Sequence, residues 1–274
     1  MIRRIHLTPW LGFALSSLVL SILPNVHADE AIMQAVSATY KVRNPESNAT
    51  SFLISRTVDG DAAEIILVTA AHVVERMKGD HCELVLREER LDGTFAKRSI
   101  QLQVRKGGMP MWTRHPKSDV AAIKIVVPDA FRSKAIPYDQ ILDSSNCTDC
   151  RLEMGQSLWV LCYPAQLASS RSGFPVLRRG TVASYPLVET EQSRRFLLDY
   201  STFGGDSGGP VFAVNNKSGN AKAQIVGLIH GQHRETTKSM TPNEERTVHR
   251  PLGLAIVVHA KFIRETIEML KSNK

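Results

Sequence analysis

The sequence predicts an all-β protein: two packed six-stranded β-barrels with a C-terminal helix. Three observations predict it. Short β-rich runs punctuated by Gly and Pro recur along the chain. They fall into two groups on either side of an irregular stretch, Pro128 to Arg151. A helical period occurs only at the end. The organisation expected is a leader over 1–28 and one domain over 29–274. Within that domain barrel one covers about 32–127, a linker about 128–151, barrel two about 152–258 and the helix about 260–271.

The leader reads as an export signal. Arg3 and Arg4 precede a largely apolar stretch from Trp10 to Leu23, and Val26-His27-Ala28 offers light residues at a cleavage site. Cleavage after Ala28 leaves 246 residues. An uncleaved anchor is the alternative, but the apolar run is short and is broken by Ser16, Ser17, Ser21 and Pro24. In barrel one, Thr50 to Ser55 and Glu64 to Thr69 flank Asp59-Gly60 and read as a hairpin. Glu83 to Leu86, Ile100 to Val104 and Val120 to Val127 follow. Barrel two is expected from Leu158 to Tyr163, Gly180 to Ser184, Phe196 to Leu198, Pro210 to Val214, Gln224 to Ile229 and Leu252 to Val258. Ile263, Ile267 and Leu270 recur at helical spacing beside Phe262, which places an amphipathic helix over Ala260 to Lys271.

Loss of Arg3 and Arg4 with the leader lowers the formal net charge from +7 to +5, and the remaining basic residues are scattered. Nucleic-acid binding wants a clustered stripe, so no nucleic-acid partner is expected. No membrane contact is expected after leader removal, no other segment being apolar and long enough to span. Four cysteines remain: Cys82, Cys147, Cys150 and Cys162. Cys147 and Cys150, with two residues between them, stand in a polar loop, with no second Cys/His pair to complete a zinc site and no strand–helix–strand context for redox work. A local disulfide or a pair of free thiols is the expectation. No metal and no cofactor are expected.

The chemistry lies in three strings. Acyl transfer by serine needs an exposed hydroxyl on a tight turn, a histidine to take its proton, an acid to orient that histidine, and N–H groups aimed at the developing oxyanion. Gly205-Asp206-Ser207-Gly208-Gly209-Pro210 suits the first and last needs, with Gly205 free to adopt backbone angles that let its N–H and that of Ser207 converge. Thr69-Ala70-Ala71-His72 ends an apolar strand, and its small residues permit a tight turn before the histidine. Asp119 opens a mainly apolar strand from Val120; Asp129 and Asp143 are weaker rivals because neither leads into a strand.

The order His72, Asp119, Ser207, at separations of 47 and 88 residues, resembles the chymotrypsin/trypsin family of serine proteases. The resemblance implies His72 as general base, Asp119 as its orienter, Ser207 as nucleophile, and the N–H groups of Gly205 and Ser207 as the oxyanion hole. It covers about Thr50 to Leu270. It is nearer the bacterial HtrA-like branch, through Trp159 to Pro164, Gly180 to Ser184, Ile225 to Ile229 and Gly253 to Ile256. Two features depart from that branch: no PDZ domain follows the helix, and Asp206 stands where HtrA enzymes usually carry Asn. In trypsin-like zymogens the matching acid pairs with a newly cut N-terminus; here Arg178 or Arg179 is the candidate partner.

The implied activity is exported serine endopeptidase, periplasmic or secreted, acting on protein or peptide substrates. The resemblance implies a substrate pocket at Ser201, Thr202, Gly227, Ile229 and His230. With no acid at its base, cleavage after Arg or Lys is disfavoured. Ser-Thr followed by a histidine resembles the glutamyl endopeptidases, but His230 comes three residues after Gly227 rather than two. In a regular strand that step would turn the side chain to the other face. Two other functions compete: a catalytically dead homologue acting as a binding protein, and a thiol oxidoreductase working through Cys147 and Cys150.

Overall fold

The computed structural model describes the chain apart from residues 1–22, 59–62, 144–151, 188–189, 191, 216–221, 242–243 and 271–274. Most of the expected leader, the Asp59-Gly60 turn and the Cys147–Cys150 pair lie outside the described residues. Cys82 and Cys162 are buried free thiols. No described helix is long and apolar enough to cross a membrane.

The first unit comprises β1 (Thr39–Asn44), β2 (Ser47–Thr57), β3 (Ala63–Thr69), β4 (His81–Glu89), β5 (Phe95–Gln103), the short β6 (Arg105–Lys106), β7 (Met109–Pro110) and β8 (Thr113–Arg114), then β9 (Ala121–Ile125) and β10 (Ile136–Pro137). Its main sheet runs β5-β4-β1-β2-β3-β9-β8, with β10 added to β2 in parallel. The second unit is a closed six-stranded barrel: β11 (Ser157–Cys162), β12 (Val176–Val182), β13 (Arg195–Asp199), β14 (Pro210–Asn215), β15 (Lys222–Thr241) and β16 (Glu244–His259), in the order β11-β12-β13-β16-β15-β14. Closure removes the exposed edges that an open sheet must protect. The expected all-β class with a closed barrel in the second half therefore holds, while the ladder of the first unit runs as an eight-stranded sheet without closing. One apolar core joins the units, with Phe52, Leu53 and Ile66 on one side and Val160, Phe212 and Leu228 on the other.

The expected C-terminal helix is α4 (Ala260–Glu268). It buries Phe262, Ile263 and Ile267, the stripe seen in the sequence. It is not the only helix. α1 (Leu23–Ala38) contains the expected cleavage position after Ala28 and leads directly into β1, a strand the sequence reading missed. α2 (Ala71–Arg76) and α3 (Asp129–Arg132) are each a single turn or little more, too short to leave a period in the sequence.

β15 and β16 run well past the barrel wall. Arg234 to Thr241 pairs with Glu244 to Pro251, and almost every described side chain of this ribbon is exposed. Its threonines suit a strand, but with no buried face it lacks the apolar alternation by which strands are recognised.

Candidate active site

The Ser207 turn is held by the packing of its glycines and by one threonine. Gly205 has φ +102°, and a Cβ there would stand 2.2 Å from the Tyr163 carbonyl oxygen. Gly208 has φ +82°, and its Cβ would strike the Thr50 carbonyl oxygen and Thr69 Oγ1, each at 2.2 Å. Neither position accepts a side chain without moving backbone, so the glycines specify the turn rather than merely permit it. Thr50, on β2, joins the turn to the other unit. Its N–H donates to the Ser207 carbonyl (3.0 Å) and its Oγ1 to the Gly205 carbonyl (2.7 Å). Its own carbonyl accepts Thr69 Oγ1 at 2.8 Å. Among the described residues, the N–H groups of Gly205 and Ser207 have no acceptor.

His72 lies in the first turn of α2, directly after β3. Ala71 and Val74 of that helix pack on Ala121 of β9 and on Trp112, which seats the helix beside the strand that Asp119 precedes. Asp119 is 7 % exposed. Its Oδ1 accepts the His72 backbone N–H at 2.9 Å, and its Oδ2 is 2.6 Å from His72 Nδ1. This bidentate grip fixes both the helix start and the ring. His230 Nδ1 also contacts Asp119 Oδ2, and the His230 and His72 rings meet edge-on at 5.7 Å. Burial alone would raise the Asp119 pKa. The bonds from His230 and His72, and the charge on His72, outweigh it and hold the carboxyl well below its ordinary range. Ser207 Oγ donates to the His230 carbonyl (3.4 Å) and makes no hydrogen bond to His72.

The place of His230 corrects the strand argument. β15 and β16 shift register between Ile229 and Gly231, so His230 is the extra residue of a bulge. Bulges interrupt alternation and re-aim a side chain. The step of three from Gly227 therefore does not turn the ring away; it brings it onto Asp119. Of the other expected pocket residues, Gly227 and Ile229 are buried inside the barrel, and Ile229 is tied through its backbone to Gly208 (2.8 Å) and Gly209 (2.9 Å). Ser201 is exposed and Thr202 buried, both just ahead of the Ser207 turn.

Asp206 is fully buried behind Ser207. Its Oδ2 accepts the Phe203 N–H at 3.0 Å and lies 3.7 Å from Arg178 Nη1, while its Oδ1 has no hydrogen-bond partner. Arg178 lies over the Tyr200 ring (4.1 Å) and donates to its hydroxyl (3.1 Å), which in turn meets Cys162 Sγ at 3.0 Å. Arg179 instead stacks on Trp159 (5.7 Å). Of the two arginines it is thus Arg178 that faces Asp206. Burial raises the Asp206 pKa, against the pull of the Phe203 N–H, Cys162, Arg178 and Tyr200.

A closed β-barrel joined through Thr50 to a second sheet, with a glycine-bound serine turn and a nearby His–Asp pair, defines the trypsin-like peptidases. Residues 49–220 match the family model of the trypsin-like peptidase domain, and the chain belongs to that family. No curated protein matches it. Among solved structures it is similar to the inactive form of a Ser-to-Ala mutant of Rv3671c from M. tuberculosis H37Rv, at 15% identity and a TM-score of 0.50, covering 91% of this chain and 96% of that one. It is also similar to HBP, at 12% identity and a TM-score of 0.49, covering 86% and 92%.

Proposed function

We propose that this protein is an exported serine endopeptidase that cleaves peptide bonds through an acyl-enzyme on Ser207. The observation that carries the reading is the serine turn: two N–H groups without acceptors among the described residues, beside a hydroxyl that bonds the His230 carbonyl, while the His230 ring shares the buried Asp119 carboxylate with His72. When substrate binds, Ser207 Oγ leaves the His230 carbonyl and gives its proton to His72 Nε2 as it attacks the scissile carbonyl. Catalytic hydrogen bonds of free enzymes commonly tighten only at this stage. The oxyanion that forms is taken by the Gly205 and Ser207 N–H groups. His72 then passes its proton to the leaving amine, and water, deprotonated by His72, releases the acid product and regenerates the serine.

The Arg178–Asp206 contact supports an oxyanion hole formed without a newly cut N-terminus. Arg3, Arg4 and the apolar run to Leu23 support export. Because Ser201 supplies no negative charge, the enzyme should disfavour cleavage after Arg and Lys.

The test is labelling with a fluorophosphonate, sequencing of the modified peptide, and casein hydrolysis. The label is expected on Ser207, and Ser207→Ala should lose roughly four to six orders of magnitude in rate. A folded protein that neither takes the label nor cleaves casein would instead be a non-catalytic binding homologue.

A further inference from the structure

The His230 ring takes no proton in the reaction just described, yet it lies on the same Asp119 oxygen as His72. His72 Nδ1, Asp119 Oδ2 and His230 Nδ1 come from three separate elements, and the ligand atoms of the three side chains lie within 4.8 Å of one another. The set is neither sealed nor loose: side-chain exposures are 22% for His72, 9% for Asp119 and 25% for His230. Two imidazole nitrogens and one carboxylate oxygen are the donors that borderline divalent cations such as Zn2+ favour, and three protein ligands leave a fourth position for water. In the metal-free arrangement both rings must present an N–H to the same carboxylate oxygen. One bridging cation would satisfy all three groups at once.

We propose that His72, Asp119 and His230 form a binding site for a divalent transition-metal ion of the Zn2+ class, and that occupancy switches the peptidase off. The inhibitory part rests on the assignment of His72 as general base; the binding part does not. Metal bonds of about 2.0–2.2 Å in a tetrahedral site set ligand atoms roughly 3.3 Å apart. His72 Nδ1 and Asp119 Oδ2, now 2.6 Å apart, must therefore separate by roughly 0.7 Å, and the closer His230 Nδ1 by more. Both rings are partly exposed, so each has room to rotate outward. No proton is lost overall. Each neutral imidazole that ligates through Nδ1 moves its N–H to Nε2. For His72 this carries the consequence: an Nε2 that holds a proton cannot accept the one from Ser207. The metal would stop catalysis by fixing the wrong tautomer, without covering the serine. The sequence expectation of no metal weighed only a site built on Cys147 and Cys150. The site is invisible in sequence, since its ligands lie 47 and 111 residues apart and one depends on a bulge.

The test uses the full chain in two arms. In the first, ZnCl2 is titrated calorimetrically into the Ser207→Ala protein, where no catalysis is needed. One ion per chain is expected, with His230→Ala and, separately, His230→Gln weakening binding at least about tenfold. The glutamine variant guards against loss of fold, which circular dichroism checks in both. No binding, or binding unchanged in two folded His230 variants, overturns the proposal. In the second arm, fluorophosphonate labelling of the parent should be suppressed by Zn2+ and restored by EDTA, while any labelling that remains in the His230 variants should be insensitive to Zn2+. Labelling that ignores a bound ion overturns the switch. If zinc binds but the parent never labels, the protease reading fails and the metal site stands. If the parent labels and no zinc binds, the reverse holds.

Discussion

Two buried carboxylates flank Ser207, and the protein keeps them in opposite condition. Asp119 lies against three donors, two of them imidazoles, and its pKa is driven down despite its burial. Asp206 receives one backbone N–H, with Cys162, Tyr200 and an arginine 3.7 Å away, but together these weigh less than burial, and its pKa is driven up. Depth does not separate them, since both are buried. The number and charge of the donors do. Asp119 is built to be an anion at working pH, as its proposed part in orienting an imidazolium requires. Asp206 is built to occupy a place: it lies next to the serine, beneath the turn whose N–H groups must converge, and holds Phe203 on one side and faces Arg178 on the other.

Asp119→Asn should break this pairing most severely. The asparagine can present an amide where His72 needs an acceptor, which leaves the ring in the wrong tautomer. A fall of about 10^4 in kcat is expected for peptide or casein turnover. A loss of tenfold or less would mean that His72 is oriented by something else. Asp206→Asn should act more gently. The amide can still accept from Phe203 but loses its attraction to Arg178, so the oxyanion hole loosens and kcat falls about 10^2-fold or less. Arg178→Leu should cost less activity than either. It leaves Asp206 buried without its facing cation and Tyr200 without the Arg178 donor, and denaturant titration should find the protein less stable by about 1–3 kcal/mol. Equal activity losses at the two aspartates would erase the distinction between them.

How much of this was open to a reader of the sequence depends on whether a feature is local. Gly205 to Pro210, Thr69 to His72 and the strand after Asp119 are contiguous strings, and each predicts its own piece of the site. The closed barrel and α4 follow from periodicity in the same way. What was hidden is set by pairing between distant segments. His230 was assigned by counting along a regular strand, and the β15–β16 bulge broke the count. Arg178 and Arg179 are adjacent and identical in type; only stacking on Tyr200 or on Trp159 separates them. Thr50 is an ordinary strand threonine until the second unit docks on it. The outer ribbon lacks an apolar face, so Arg234 to Thr241 reads as loop although it is paired strand throughout.

The smallest effect expected is also the cleanest contrast between the two acids, because it has opposite signs. An unfolded-state aspartate titrates near about 3.9. Asp119 titrates lower than this in the folded protein, so its stabilisation is complete above the unfolded value and is lost as pH falls through the acid range toward its folded pKa. Asp206 titrates higher when folded. It costs nothing where both states are protonated, and its cost grows as pH rises from the unfolded value through its raised folded pKa, being complete beyond it. Unfolding midpoints of parent, Asp119→Asn and Asp206→Asn, followed by tryptophan fluorescence from about pH 3 to pH 7, therefore separate the two. Asp119→Asn should be less stable than the parent at neutrality, with the gap closing on acidification. Asp206→Asn should match or exceed the parent at neutrality, with its advantage disappearing at the acid end. Other carboxylates such as Glu64 and Glu83, whose pKa values are also lowered by their arginine and lysine partners, remain in all three proteins and cancel in the differences. Two differences of the same sign would show that Asp206, like Asp119, is held as an anion, and that Arg178 outweighs the burial around it.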